Sequence, residues 1–207
     1  RASSFTVEDT YPVSRLTFTD EELGRMLARN PLPANSVRSI MHRMMQEDGG
    51  GDLPLLSQVS LGEMNTYLQH VLLRDTDQMS MAHALEVRVP FLDHHLVEFV
   101  LGVSDELKYP HTAKRLLVDP LKDLLPDEVV HRPKMGFVLP WEPWMRNELK
   151  SFCAAHLERL AIWPQFKPGA VKELWNQFLL GDPRVNWSRI WSLVVLEDWV
   201  QRHGIEP

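Results

Sequence analysis

The sequence predicts an all-α fold, a helical bundle. Apolar residues recur at helical spacing in segment after segment, and no run alternates as a strand would. Helix start and stop signals punctuate the chain at matching intervals. With 207 residues, 44% of them hydrophobic, the chain is long enough to close one sizeable core, or about one and a half domains by length.

Taken in order, Thr19-x-x-Glu22 is a capping box, with Phe18 and Leu23 as its hydrophobic staple. It opens a helix expected from Asp20 to Arg29, ended by Pro31. Val37, Ile40, Met41, Met44 and Met45 follow the i, i+3, i+4, i+7, i+8 rule, and ordinary core packing explains this methionine cluster better than a binding groove does. Gly49-Gly50-Gly51-Asp52 breaks the pattern, and residues 49–54 are expected as an internal linker. A phosphate loop does not fit there, because Pro54 follows and no Gly-Lys-Ser/Thr is present.

Ser60-x-x-Glu63, with Val59 and Met64 as staple, predicts a new helix reaching Leu73, its inner face made of Met64, Leu68, Val71 and Leu72. Another turn or two should carry Met79, Ala82 and Leu85 towards the core. Asp93 is a good N-cap, Gly102 suits the matching C-terminal position, and Leu96, Val97, Val100 and Leu101 form the expected buried stripe between them. A helix from near Thr112 should kink or end at Asp119-Pro120. Pro143 fits the first turn of another that continues through Leu149, Phe152 and Leu157. Pro168 opens a helix with the stripe Val171, Leu174, Trp175, Phe178 and Leu179, stopped by Gly181. The last helix, about Ser188 to His203, is apolar nearly all round, which predicts burial at the centre of the bundle.

A formal charge of −6 and a pI of about 5.8 argue against nucleic acid as a partner. No apolar run reaches the ~18 residues of a membrane span, and Arg1-Ala2-Ser3-Ser4 lacks the apolar core of a signal peptide. The single cysteine, Cys153, excludes an internal disulfide, suits a cytoplasmic address and sits where a buried, inert thiol is expected.

Asp75–Asp93 carries the most information. Pro90 pushes Val89 towards extended geometry. Alternate side chains of an extended segment share a face, which puts Glu86 with Arg88, and Val87 with Val89. Taken alone, these residues allow either a structural ion pair or a carboxylate held at a reaction centre.

The order of residues in DTDQMSMAHALEVRVPFLD, followed by Leu107-Lys108, Lys114-Arg115-Leu116-Leu117, Leu125-Pro126, Arg132-Pro133-Lys134-Met135-Gly136-Phe137, Pro140 and Trp144, closely resembles the C-terminal part of the synthetase domain of glutamine-hydrolysing asparagine synthetases. The resemblance is specific from about Leu61 to about Trp144. Gln78 departs from it, standing where many relatives have Arg.

The resemblance implies that these helices are the C-terminal helical portion of an α/β ATP-pyrophosphatase (adenine nucleotide alpha-hydrolase-like) domain. It implies adenylation of the aspartate side chain by ATP, then attack by glutamine-derived ammonia with release of AMP. By this resemblance Lys134 stabilises the departing pyrophosphate and Glu86 orients or activates the attacking nitrogen. Arg88 and Asp93 brace Glu86 and the following helix, and Arg132 supports the pyrophosphate site.

The family's Ser-Gly-Gly-x-Asp-Ser ATP loop, its accompanying acidic magnesium motif and the glutaminase cysteine are absent from these 207 residues. The expectation is therefore a C-terminal part of a larger enzyme. Its partner would be the N-terminal half of its own polypeptide, which would grip ATP and Mg2+, and the assembly admits a homodimer. No metal ligands are expected in this chain: Asp75 and Asp77 read as solvated or capping, and His94-His95 as first-turn surface residues. Two alternatives remain open, a related synthetase that amidates another carboxylate or closes a lactam, and a helical interaction module in which Glu86 and Lys134 are structural.

Overall fold

The computed structural model describes residues 5–108, 114–121, 123–133, 135–136 and 139–206. Every regular element among them is helical, and the chain divides into two units, residues 1–15 with 35–135 and residues 16–34 with 136–207.

In the first unit, α1 (Val7–Ser14) is capped by Thr6, whose hydroxyl accepts from the Asp9 N–H, and α3 (Ser36–His42) by Asn35, which accepts from the Arg38 N–H. Val7, Tyr11, Met41, Met44 and Met45 form the core here, with Val37, Val59 and Leu61 packed on it, so the methionines are core residues as expected. Gly49 turns the chain with φ 76°, and Gly50–Asp52 is a tight 3-10 turn in which a Cβ on Gly50 would lie 2.7 Å from the Met44 carbonyl oxygen.

From Pro54 the chain is helical without a break through α4 (Leu55–Glu63), a wider-turned stretch Met64–Leu73, and α5 (Arg74–Met81). Ser60 is thus inside a helix and not at its cap: its hydroxyl bonds back to the Leu56 carbonyl, because Pro54 has already started the helix. Gly62 lets this helix approach the core closely, since a Cβ there would sit 3.2 Å from Met41 Sδ.

Past Thr66 the expected burial fails. From Tyr67 to Gly136 no described residue is buried. Val71, Leu72, Met79, Ala82 and Leu85 are exposed, and the Leu96–Leu101 stripe of α6 (His94–Gly102) is at best half-buried. Helical spacing identifies an apolar face but does not supply the surface that covers it. α7 (Asp105–Lys108), α8 (Arg115–Leu121) and α9 (Asp127–Val130) complete the unit. Gly102 is the last residue of α6, and a backbone N–H from Val103 closes that end, so no left-handed glycine is needed.

In the second unit, α2 (Asp20–Met26) has the predicted capping box, the Thr19 side chain accepting from the Glu22 N–H and the Glu22 carboxylate from the Thr19 N–H. The helix stops at Met26, short of Arg29. Leu27 is extended and bridges to Phe166, while Ala28 N–H donates to the Gln165 carbonyl at 2.8 Å. α10 (Trp141–Arg146) likewise ends early. Asn147 leaves helical geometry at φ −123°, ψ −91°, and α11 (Lys150–Leu160) is a separate helix.

α12 (Ala170–Leu180) ends at left-handed Gly181 as predicted, and α13 (Trp187–Arg202) is the last helix. Met145, Cys153, Leu160, Phe178, Ile190 and Val194 are the centre of this core. Trp141 stacks on Trp187 at 5.8 Å between ring centroids and lies 4.7 Å from Trp191. α13 is not buried all round: Val195, Leu196 and Trp199 are 46%, 41% and 49% exposed, while Glu197 between them is buried.

Candidate active site

The segment joining α5 to α6 carries Glu86, Arg88 and Asp93. It leaves α5 through Ala84, held at φ 56° by the turn in which Leu85 N–H donates to the Ser80 carbonyl. Pro90 then forces the change of direction the sequence predicts. Val89 lies at φ −113°, ψ 89°, and Pro90–Leu92 form a 3-10 turn. Asp93 caps α6, its Oδ1 accepting from the N–H groups of His95 and Leu96 at 3.0 and 3.4 Å.

Glu86 and Arg88 do share a face, and Arg88 Nε donates to Glu86 Oε1 at 2.9 Å. Their side chains are 70% and 85% exposed, so the pair is hydrated, and such pairs contribute at most about 1 kcal/mol. Val87, Val89 and Phe91 on the same segment are also open to solvent. The arrangement is a carboxylate and a guanidinium set among exposed apolar side chains, not a charge pair sealed in a core.

Arg132 follows α9 on an exposed, irregular stretch. Lys134 lies outside the described residues, so its expected convergence with Glu86 does too. Asp75 and Asp77 sit exposed in the first turn of α5. His94 and His95 are exposed with their rings 3.8 Å apart. Among the described residues no group of three or more His, Cys, Asp or Glu is placed to hold a metal.

Sequence reasoning missed two polar groups. In the second unit, buried Glu197 accepts from Arg159 Nε and Nη2 at 2.8 and 3.0 Å and is bonded to His156 Nδ1. Burial alone would raise its pKa, but the bonds from Arg159 and His156 outweigh it and hold the carboxyl below the ordinary range. In the first unit, Ser57, Asp105 and Lys108 form a second group. Glu197 is distant in sequence from Arg159 and His156, and Ser57 from Asp105 and Lys108, so no local pattern marks either set. Cys153 is fully buried, and desolvation pushes its thiol up to about 11, as suits an inert core residue.

Comparison with known proteins places this geometry in context. Residues 12–201 match the family model described as asparagine synthase. Asparagine synthetase [glutamine-hydrolyzing] 1 of Bacillus subtilis (strain 168) is 25% identical over 195 residues, 93% of this chain and 30% of the relative. Asparagine synthetase [glutamine-hydrolyzing] 3 of the same organism is 45% identical over 149 residues, 65% of this chain and 24% of the relative. Amidase chry2 of Gibberella zeae is 35% identical over 89 residues, 39% of this chain and 13% of that protein. No solved structure matches the chain significantly. The chain spans less than a third of the length of these relatives.

Proposed function

Because the chain belongs to the asparagine synthase family, we propose that it is the C-terminal part of the synthetase domain of an ATP-dependent, glutamine-hydrolysing asparagine synthetase. The match over residues 12–201 carries this reading. In the proposed reaction an aspartate side-chain carboxylate attacks the α-phosphate of ATP and pyrophosphate leaves. Ammonia derived from glutamine then attacks the acyl carbon, and AMP leaves with the acyl–oxygen bond pair.

Lys134 places a compact charge on the departing pyrophosphate, and Arg132 supports that site. Glu86 receives the attacking nitrogen and its proton. Arg88, bonded to Glu86, and Asp93, capping the next helix, hold the carboxylate in place. ATP and Mg2+ are gripped elsewhere in the longer polypeptide.

The open flank of the first unit supports this reading. Met79, Leu85, Val87, Phe91 and Phe99, on either side of Glu86 in the sequence, are 50–71% exposed. A patch of that kind needs a cover, and an acyl-adenylate needs water kept away. The N-terminal region of the same polypeptide serves both needs. By itself the chain turns over no aspartate and ATP.

In the full polypeptide, Lys134→Met should lower AMP formation from aspartate, ATP and glutamine by roughly a hundredfold and leave glutamine hydrolysis intact. Undiminished synthesis in a folded variant removes Lys134 from the site and the proposed chemistry with it. A second reading is amidation of a carboxylate other than aspartate, since not every relative carries the asparagine synthetase name, one being named Amidase chry2. It predicts that aspartate fails to elicit pyrophosphate release while another acid succeeds.

A further inference from the structure

The Ser57–Asp105–Lys108 group ties together the two helices that bracket Glu86. α4 begins at Pro54, and no side chain of its own caps it. Asp105, 49 residues downstream of Leu56, does that work: Oδ2 accepts from the Leu56 N–H at 2.7 Å and Oδ1 from the Ser57 hydroxyl at 2.8 Å. Lys108 Nζ donates to Ser57 Oγ at 2.8 Å and to the Leu101 carbonyl, at the C-terminal end of α6, at 3.2 Å. It also lies 3.6 Å from Asp105 Oδ1.

The side chains of Lys108 and Asp105 are only 11% and 17% exposed, and Ser57 is buried. Burial would raise the Asp105 pKa, but the hydrogen bonds from Ser57 and Leu56 and the Lys108 charge outweigh it, so the carboxyl stays below the ordinary range.

No described residue between Tyr67 and Gly136 is buried, so the close packing that usually fixes the register of neighbouring helices does not do so in this stretch. A partly buried charge pair is well suited to setting register instead. Glu86 lies on the chain running from Met81, where the long helix ends, to His94, where α6 begins. The bonds from Asp105 and Lys108 to the start of the long helix, and from Lys108 to the end of α6, therefore fix the far ends of the two elements whose near ends carry the Glu86 segment.

We infer that Asp105 and Lys108, acting through Ser57, are positioning residues for Glu86 in the amidation step. This rests on the role proposed above for Glu86. A displaced Glu86 slows capture of the acyl-adenylate by ammonia but not its formation, so water takes a larger share of the intermediate.

The test uses the full polypeptide with aspartate, ATP and ammonia, and measures amide formed per pyrophosphate released. Lys108→Met and Ser57→Ala should lower that ratio by about tenfold or more, the scale of effect expected from an ångström-level misplacement, with pyrophosphate release close to wild type. Lys108→Arg, which keeps the charge and a donor for the Leu101 carbonyl, should restore the ratio. An unchanged ratio in a folded variant overturns the inference, and so does a proportional fall in both products, which marks a purely structural lesion. Should Lys108→Met fail to fold, Ser57→Ala decides alone. A wild-type protein that releases no pyrophosphate overturns the proposed reaction itself, and this inference falls with it.

Discussion

Replacing Glu197 with glutamine tests whether the buried ion cluster of the second unit stabilises it. The side chain is 4% exposed, accepts from Arg159 Nε and Nη2, and is bonded to His156 Nδ1. Glutamine keeps the shape but removes the charge and turns an NH2 towards one of the Arg159 donors. Hydrogen bonds to charged groups contribute about 1.5–3 kcal/mol each. Arg159 is 42% exposed and rehydrates readily, whereas His156 is 7% exposed and does not. Only part of that sum is therefore lost, and a net cost of about 2–3 kcal/mol at neutral pH is expected, below the ~3–5 kcal/mol seen when a fully buried pair is broken.

The cost should depend on pH. The folded-state pKa of Glu197 is depressed, so its contribution is fully present above the unfolded value of about 4.3 and fades as pH falls through the folded value. The difference between wild type and Glu197→Gln should thus be full at neutral pH and shrink below about pH 4. Guanidinium unfolding followed by tryptophan fluorescence reads this, since Trp141, Trp187 and Trp191 cluster in the same unit. A difference below about 0.5 kcal/mol at neutral pH, the range of an ordinary surface change, refutes the reasoning. So does a difference that stays constant into acid.

Two further substitutions probe the two cores. Cys153→Ser places a hydroxyl in a fully buried apolar site and should cost about 1–3 kcal/mol; the native thiol should resist a disulfide reagent near neutral pH until the protein is unfolded, and prompt labelling of folded protein contradicts its burial. Gly50→Ala would press a methyl to 2.7 Å from the Met44 carbonyl oxygen and should destabilise the first unit by about 1–3 kcal/mol, read as an earlier loss of helical circular dichroism; an unchanged midpoint would show that the turn is not packed on the methionine core.

The open flank around Glu86 links these observations to function. An acyl-adenylate survives only in a dry site, yet the carboxylate proposed to serve it is hydrated in this chain. The proposed chemistry therefore needs surfaces from both parts of a longer polypeptide, and its assays belong in that polypeptide.

The sequence by itself determined the helices that local signals control. The Thr19–Glu22 capping box, the Asp93 cap, the Gly181 stop and the spacing of Met41, Met44 and Met45 are all present as read. It also determined the family, through the run of residues around Glu86 and Arg132. Caps and turns act over a few residues, so a linear reading captures them. Only the tertiary structure decided which apolar faces are covered, and it left the stripes of Val71, Leu85 and Leu96 open. Only it paired Glu197 with Arg159 across 38 residues and Asp105 with Leu56 across 49. Burial and ion pairing depend on what lies opposite a side chain in space, and neither periodicity nor spacing along one chain encodes that.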